Sequence, residues 1–308
     1  MTEVLTSAKD EVNRLRDEVT IVVPALNEGE AIGLLLEEIK SFGYRKILVV
    51  DGYSKDGTVK TASDNGATVV MQHGEGKAGA LLTAFSVVTT PYIIVMDGDG
   101  SYDPHDLDKL TILAETYDFV KGVRARNDNM SRLHRVGNSI ITKTFDLLFG
   151  TFIGDVCSGM YLMRTQTVKN LRLERHPLTV EQEIAAELVS SLAKVTTVPI
   201  NYRRRIGGKS KTKTWRQGFR DLVTNFDLAR VYNPVLLFAS FATLFLVPAF
   251  AVLGYALLLY FNGGQYRSGL FLGGLVLLVL GAQGVTVATI AAMLRRIERK
   301  ISLTQAQS

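Results

Sequence analysis

The segment from Tyr92 to Pro104 reads YIIVMDGDGSYDP and joins a short apolar run directly to two aspartates. A continuous apolar run that stops at a glycine predicts a fully buried strand of a parallel sheet. In open α/β sheets, ligand sites lie just beyond the carboxyl ends of such strands. Asp97 and Asp99 are therefore candidates to hold a hard divalent cation beside substrate phosphates. The alternatives are a solvated Asp-rich loop and a helix–loop–helix calcium site, which lacks its required glycine and glutamate.

Apolar runs of strand type alternate with helical periodicity on both sides of this segment. Strands are predicted at residues 19–24, 46–50, 67–72, 92–96, 118–126 and 195–200, and helices at 31–42, 58–65, 80–88 and 131–149. This alternation with short connections predicts an α/β domain whose mostly parallel sheet carries helices on both faces.

Polar loops follow several of these strands and converge on one edge of the sheet. Asn27 and Glu28 follow the first strand, Asp51 follows the second, and Gly76-Lys77 opens a helix whose free N–H groups suit a phosphate. A Gly-Lys pair alone is often only a turn, and Asp51 alone is a plausible helix cap. No P-loop and no Rossmann glycine fingerprint is present, which implies a nucleotide-binding fold of another kind.

Two long apolar segments near the end of the chain predict membrane-spanning helices. Residues 234–261 and 268–294 each exceed the roughly 20 residues that cross a bilayer core. A pair of buried helices in a soluble core is the alternative. Basic residues precede the first span and follow the second, which favours both chain ends in the cytoplasm, at the cell membrane or an ER-type membrane.

The N-terminal segment, the cysteine count and the net charge limit the cell compartment and the class of binding partner. The first 18 residues are charged and lack an apolar core, so no cleaved signal peptide is expected. The single cysteine, Cys157, excludes an intramolecular disulfide and fits a reducing compartment. Its expected role is that of a small buried side chain that fills the core. The net charge of +5 is modest and no nucleic-acid motif is present, so lipid or phosphate is the expected anionic partner. Self-association into a homo-oligomer is left open.

Four ordered motifs give the chain a specific resemblance. They are VPALNE at residues 23–28, VDGYSKDGT at 50–58, GK at 76–77 and MDGD at 96–99. In this order and spacing they resemble the inverting family 2 glycosyltransferases, in particular the polyprenyl-phosphate branch that includes dolichyl-phosphate mannose and glucose synthases. The resemblance covers about residues 20–211, and the two-span tail suits that branch. It implies a GT-A type, Rossmann-like fold.

The resemblance also implies roles for individual residues. Those implied to contact the nucleotide sugar are Pro24, Ala25, Asn27, Glu28, Asp51, Lys77, Gly98 and Asp155. A mobile loop is implied to close over the donor phosphates through Arg205, Lys209 and Ser210; a solvated basic linker is the alternative. Mg²⁺ or Mn²⁺ is implied on Asp97 and Asp99, with Ser101 at the place of a third contact.

Two departures from the family pattern affect specificity. Gly52-Tyr53 stands where many relatives have Asp-Gly, which bears on base or ribose recognition. Ser101 stands where mannose synthases often carry Gln, which argues mildly against mannose as the sugar.

On the acceptor side, the family places an arginine after the fifth strand and another early in the next helix against the lipid phosphate. Arg124 matches the first position, and Arg132 and Arg135 compete for the second. The guanidinium fork suits phosphate oxygens two at a time. Glu181 and Glu183 lie where many relatives keep a catalytic base, or are simply carboxylates favoured at a helix start.

The sequence thus predicts a metal-dependent, inverting hexosyltransferase. It would move glucose, GlcNAc or mannose from a UDP- or GDP-sugar to dolichyl or another polyprenyl phosphate, giving a β-linked lipid for glycan or N-glycoprotein assembly. The alternatives are a processive polysaccharide synthase, whose further spans and Gln-x-x-Arg-Trp signature are not found, and a non-catalytic binding protein. The expected organisation is a charged segment (1–18), the GT-A domain (19–213), an amphipathic interfacial helix (214–232), two spans (233–295) and a cytoplasmic tail (296–308).

Overall fold

The architecture is that of a computed structural model of the 308-residue chain. It describes residues 12–125, 132–169, 171, 179–191, 193–207, 214–263 and 267–306. Contacts divide the chain into two compact units, one of residues 1–146 with 151–224 and one of residues 147–150 with 225–308.

The first unit is built on one seven-stranded sheet. Its strands are β1 (Val19–Ala25), β2 (Ile47–Asp51), β3 (Thr68–Met71), β4 (Tyr92–Val95), β5 (Phe119–Arg124), β6 (Tyr161–Arg164) and β7 (Val195–Ile200). They lie in the order β3-β2-β1-β4-β6-β5-β7, and every neighbouring pair is parallel except the two that involve β6. The predicted mostly parallel sheet is confirmed.

Strand β6 is the strand of this sheet that the sequence analysis did not identify. It pairs antiparallel with β4, Val95 opposite Tyr161, and with β5, Lys121 opposite Tyr161. Its insertion separates the end of β4 from the end of β5. The loop before β6 is thereby brought between the aspartates that follow β4 and the arginine that ends β5.

The helices of this unit connect the strands with the expected alternation. They are α1 (Ile32–Ser41), α2 (Thr58–Asp64), α3 (Gly76–Val87), α4 (Leu107–Thr111), α5 (Arg132–Phe149), α6 (Thr165–Lys169), α7 (Val180–Ser190) and α8 (Thr214–Tyr232). The core on one sheet face joins Ile21, Ile94 and Leu162 to the buried sides of α1 and α4. Burial of these aliphatic side chains is the main stabilising term of the unit.

Helix α3 begins earlier than predicted. We expected it to start at Ala80, but it starts at Gly76, whose φ of +62° is readily adopted only by glycine. Lys77 therefore lies in the first turn of the helix. The consequence is that this lysine side chain is carried on a rigid element.

The second unit is dominated by α9 (Pro234–Phe261) and α10 (Ser268–Ala306). Within the described residues, these are the two helices long and apolar enough to cross a bilayer, and only 11% and 17% of their most apolar windows is buried. A core helix of a soluble protein would be mostly buried, so the exposure favours the membrane alternative. Helix α10 continues well past the apolar stretch that ends at Leu294. Helix α8 belongs partly to each unit, which divide after Thr224.

Small residues of α10 let the two long helices pack closely. A Cβ added at Gly281 would lie 2.5 Å from Leu246 Cγ, and one at Gly284 would lie 3.0 Å from Ala242 Cβ. Close approach through small residues is the usual way that helices associate where there is no hydrophobic driving force.

We expect Gly281→Val to destabilise the helical hairpin by about 1–3 kcal/mol, because the new side chain must displace Leu246. The matched control is Gly273→Val in the same helix, where an added Cβ meets nothing within 4 Å. SDS titration of the two variants in detergent micelles measures the difference. Equal unfolding midpoints for the two variants would contradict this packing.

Candidate active site

The site lies where parallel strands β2, β1 and β4 end side by side. Asp51 is the last residue of β2, Ala25 is the last of β1, and Asp97 follows β4 by two residues. Because parallel neighbours share direction, their carboxyl ends meet at one edge of the sheet. The edge therefore gathers the polar loops that the sequence placed there.

The loops after β1 and β2 hold each other through backbone groups. Asn27, at a φ of 51°, donates its N–H to Ser54 Oγ at 2.8 Å, and its side-chain Oδ1 accepts the N–H of Lys55 at 2.8 Å. The Glu28 N–H reaches Thr58 Oγ1 at 2.9 Å. These bonds fix the two loops as one surface.

Asp51 is fully buried within this surface. Its Oδ2 accepts the N–H of Ser54 at 2.7 Å, whereas Oδ1 is a buried atom with no hydrogen-bond partner among the described residues. A buried acceptor without a partner is costly unless a ligand supplies a donor. Asp51 Oδ1 can therefore accept a hydrogen bond from a ribose hydroxyl or from a base.

The Gly52-Tyr53 departure gives this loop an unusual backbone. Tyr53 has a φ of 65°, rare for a bulky residue, and its hydroxyl donates to the Gln72 carbonyl at 3.2 Å. A Cβ at Gly52 would lie 3.3 Å from Gln72 Oε1. The tight turn accounts for glycine at this position.

Beyond β4, the loop that carries the two aspartates packs against the end of β1. A Cβ at Gly98 would lie 3.2 Å from Val23 Cγ1 and 3.4 Å from the carbonyl oxygen of half-buried Pro24. The N–H of Gly52 donates to the Ala25 carbonyl at 2.8 Å. Small residues thus bring the aspartate loop close to the first two strands.

Each aspartate has a cationic side chain beside it. Asp97 Oδ1 accepts from Lys77 Nζ, and the same ammonium lies 2.5 Å from Glu181 Oε1. Burial lowers the pKa of Lys77, but the charges of Asp97 and Glu181 outweigh it and raise the pKa well above its ordinary value. Lys77 is therefore charged across the physiological range.

Asp99 is held from two sides. Ser101 donates to Asp99 Oδ1 through its N–H at 3.0 Å and its hydroxyl at 2.5 Å. On the other side, Arg205 Nη1 lies 3.4 Å from Asp99 Oδ2, and Arg205 Nη2 is 2.6 Å from Glu28 Oε1. The Ser101 side chain thus orients Asp99, and Arg205 crosses from the segment after β7 to the carboxylates.

The ligand set suits a divalent cation that keeps substrate and water ligands. The described residues contain no group of three or more His, Cys, Asp or Glu arranged for a metal. Asp97 and Asp99 are partly exposed, and each is paired with a lysine or arginine side chain. One or two such carboxylates are the usual protein ligands of an Mg²⁺ ion that is also bound by substrate phosphates. The residues present fit such an ion.

On the far side of β6, Arg124 ends β5 and pairs with Asp155. Its Nε and Nη2 lie 2.6 Å and 2.9 Å from the two oxygens of Asp155, and its guanidinium stacks over the Tyr202 ring at 5.3 Å. Burial lowers the pKa of Arg124, but Tyr102 and Asp155 raise it by more than burial lowers it, so the net shift is upward. The pair is prearranged and about nine-tenths buried.

The other expected acceptor residues are placed only in part. Arg135 is half-buried in the first turns of α5. The Arg132 side chain, Lys209 and Ser210 lie outside the described residues. The structure therefore assigns neither competing arginine to the second position.

Sequence reasoning missed two buried residues near the aspartates and the partner of a third. Lys121 is fully buried in β5, and Tyr161 of β6 is fully buried with a hydroxyl that has no partner among the described residues. Glu181 was considered only as a base or a dipole partner, whereas its side chain contacts Lys77. The available signal was a lone lysine within the apolar strand FVKGV.

Comparison with known proteins now identifies the family. The model of glycosyl transferase family 2 matches residues 20–172. Glycosyltransferase AglJ of Haloferax volcanii is 35% identical over 230 residues, which cover 73% of this chain and 76% of AglJ. The chain belongs to glycosyl transferase family 2.

Further similarities agree with membership of family 2. The dolichyl-phosphate hexose transferase of Haloferax volcanii is 30% identical over 200 residues, covering 62% of this chain and 85% of that protein. These relatives support the expected polyprenyl-phosphate branch. Glucosyl-3-phosphoglycerate synthase from Mycobacterium tuberculosis, solved with Mn²⁺ and UDP, superposes with a TM-score of 0.59 at 17% identity, covering 71% of this chain and 84% of that one. The expected GT-A fold is confirmed.

The single thiol of this family 2 protein lies close to the Arg124–Asp155 pair. Burial raises the pKa of Cys157 strongly, and Asp155 raises it further. We expect alkylation of Cys157 by iodoacetamide at pH 8 to be at least about 100-fold slower than that of free cysteine, because the thiolate is the reactive form. Mass spectrometry against time measures it, with the urea-unfolded protein as control. Cys157 is half-buried rather than the fully buried filler expected, so labelling of the native protein at the rate of the unfolded one would contradict the raised pKa of this thiol.

Proposed function

We propose that this protein is a membrane-bound, metal-dependent, inverting hexosyltransferase that moves one sugar from a UDP- or GDP-sugar to a polyprenyl phosphate such as dolichyl phosphate. The observation that carries the proposal is the arrangement at the sheet edge. Two carboxylates suited to a divalent ion stand on one side of β6, and a buried, carboxylate-oriented arginine stands on the other.

The donor would lie on the surface formed by the loops after β1 and β2. Asp51 offers its free oxygen to the nucleoside, and Lys77 stands at the helix start where phosphate is favoured. The proposed donor-binding residues are Pro24, Ala25, Asn27, Glu28, Asp51, Lys77, Gly98, Asp155, Arg205, Lys209 and Ser210. Of these, Asp155 is paired with Arg124, so its role would be to orient that arginine for the acceptor phosphate rather than to contact the donor.

Asp97 and Asp99 would hold Mg²⁺ or Mn²⁺, with Ser101 orienting Asp99. When bound, the ion supplies positive charge to the diphosphate leaving group. Arg205 already contacts Glu28 and Asp99, so its guanidinium is within reach of a diphosphate that binds there. These contacts would draw the segment after β7 onto the donor.

The acceptor phosphate would bind at Arg124, helped by Arg132 or Arg135. Its oxygens are ionised near neutral pH because the second pKa is about 6, so the attacking oxygen has no proton to lose. Two like charges about 4 Å apart repel by about 4 kcal/mol at an effective dielectric of 20. Arginine and lysine side chains at this edge offset that repulsion.

A general base is unnecessary for this reaction, and the contacts of Glu181 agree. Glu181 is salt-bridged to Lys77 at 2.5 Å and is mostly buried, so its role would be to hold that lysine. The phosphate oxygen then displaces the nucleoside diphosphate in one in-line step. An α-linked donor would give a β-linked lipid-phosphate sugar, of use for glycan or N-glycoprotein assembly.

Exposed apolar side chains on two helices support the proposal that the protein acts at a bilayer surface. Helix α8 exposes Phe219, Val223 and Phe226 at spacings of four and three, the stripe expected of an interfacial helix. Helix α5 exposes a second stripe that the sequence analysis did not identify, with Leu133, Val136 and Ile140. The basic flanks of the two spans favour the catalytic domain and both chain ends in the cytoplasm.

The proposal is tested by incubating purified protein with Mn²⁺, dolichyl phosphate and a panel of UDP- and GDP-sugars. We expect one donor to give a lipid-linked product whose anomeric coupling in NMR is that of a β-linkage. No lipid-linked product from any donor would overturn the proposed acceptor, and an α-linked product would overturn inversion.

Within this assay, Asp99→Asn should lower kcat by about 100-fold or more, because one of two metal carboxylates is lost. The matched control is Asp64→Asn, which neutralises an exposed aspartate at the end of α2 and should leave kcat unchanged. Circular dichroism establishes that both variants fold. An Asp99→Asn protein as active as wild type would exclude the metal role.

A second variant tests Asp97 without removing it. A Cβ added at Gly159 would lie 2.5 Å from Asp97 Oδ2, so Gly159→Ala must displace that carboxylate. We expect the Mn²⁺ concentration for half-maximal activity to rise about tenfold. Gly254→Ala in α9, where an added Cβ meets nothing within 4 Å, is the control. Unchanged metal activation in Gly159→Ala would show that Asp97 is not a ligand.

A further inference from the structure

Lys121 is a charged side chain in the interior of the sheet. It has no exposed surface, although it stands at the middle of β5 between apolar neighbours. Its ammonium donates to the carbonyl oxygen of Ser158 at 2.7 Å and lies 4.7 Å from the centroid of the Tyr161 ring. Lysine is almost never fully buried without a partner that uses its charge. The proposed chemistry assigns this residue no role.

The carbonyl that Lys121 holds belongs to a segment that joins the two halves of the site. Residues 155–159 form a turn in which the Ser158 N–H donates to the Asp155 carbonyl at 3.2 Å. At one end of the turn, Asp155 pairs with Arg124. At the other end, Gly159 packs directly against the Asp97 carboxylate and donates its N–H to the Tyr102 hydroxyl at 2.6 Å.

Ionisable groups from four elements face the Lys121 ammonium. They are Glu181 from α7, Asp155 and Cys157 from the turn, Lys77 from α3 and Tyr161 from β6. The carboxylates favour a charged lysine, while burial and Lys77 oppose it. The ammonium therefore offsets negative charge beneath the aspartates as well as holding the turn.

We propose that Lys121 is a positioning residue for sugar transfer: its buried ammonium, through the Ser158 carbonyl, fixes the turn 155–159 and with it the spacing between Arg124 and Asp97. The inference rests on the proposed function, in which these two side chains face the acceptor and the donor. A charge-assisted hydrogen bond holds a carbonyl more firmly than a neutral one. Misplacement of reacting groups by about 1 Å costs about 100-fold in rate.

The first measurement separates positioning from donor binding. We expect Lys121→Met to lower kcat for lipid-phosphate glycosylation about tenfold to 100-fold, with KM for the nucleotide sugar within about threefold of wild type. The donor surface is built on β1 and β2, away from β5, so its affinity should change little. The control is Lys46→Met, which removes an exposed lysine that also donates to a backbone carbonyl, that of Asp17 at 2.6 Å. It should leave both constants unchanged.

The second measurement is the pH profile of kcat for the wild-type protein, with Mg²⁺ as the metal. Burial lowers the pKa of Lys121 to about 8. The neighbouring groups shift away from pH 8. Burial raises the pKa values of Cys157 and Tyr161, and Asp97 and Glu181 raise the pKa of Lys77 against the effect of burial. Since the charged lysine is the positioning form, kcat should fall as pH rises through about 8. That falling limb should be absent in Lys121→Met.

The outcomes distinguish the two proposals. A wild-type protein without transfer activity would overturn the proposed function and this inference together. An active wild type whose kcat stays flat to pH 9.5 would overturn the role of Lys121 alone, even if Lys121→Met fails to fold. Equal kcat values for Lys121→Met and Lys46→Met would overturn it as well. A reduced kcat that retains the wild-type falling limb would show that Lys121 has only a structural role.

Discussion

The site depends on one electrostatic constraint: carboxylates gathered at the end of a buried sheet need positive charge close by. Asp97 and Asp99 follow β4, and Glu28, Asp155 and Glu181 stand around them. Carboxylates that lie close together in a partly buried site cannot all stay ionised unless cations compensate their charges. In the structure Lys77 contacts Asp97 and Glu181, while Arg205 contacts Asp99 and Glu28. These five carboxylates contact three cations, Lys77, Arg205 and, at Asp155, Arg124, so an excess of negative charge remains for a substrate-bound divalent ion to offset.

The parts of the fold that the sequence could predict are those that local patterns encode. The parallel strands are apolar and β-branched because both faces of the sheet are covered, and their alternation with helices dictates the crossover topology. The polar loops could be assigned to one edge for the same reason, since parallel strands end together. The sequence therefore predicts that Asp51, Asp97 and Lys77 lie near one another. Helix α3 began four residues early because glycine at position 76 accommodates a φ of +62° at its start.

What the sequence could not provide was the partners of these residues across long separations. Strand β6 reads YLMR, without a β-branched residue, and its antiparallel place between β4 and β5 depends on long-range pairing. Its position decides that Arg124 meets Asp155 and that Gly159 meets Asp97. Likewise, Arg205 reaches Glu28 across 177 residues of chain. Such pairs follow from topology, which residue spacing alone does not fix.

The Arg124–Asp155 pair shows why prearrangement matters for an anionic acceptor. A free arginine would lose rotamer freedom and hydration on meeting a phosphate, and both losses weaken binding. Here the guanidinium is already ordered by two short bonds to Asp155 and by the Tyr202 ring, and it is largely buried. In the proposed reaction, the phosphate would therefore meet a guanidinium whose orientation is fixed, although its charge is shared with a carboxylate. Sharing would weaken the ground-state attraction for a lipid phosphate, which would suit the proposed enzyme because its substrate would be concentrated in the bilayer and its product would have to leave. If the two anionic reactants meet beside Arg124 as proposed, its positive charge would offset their repulsion, and the balance would favour the transfer step over tight binding of the acceptor.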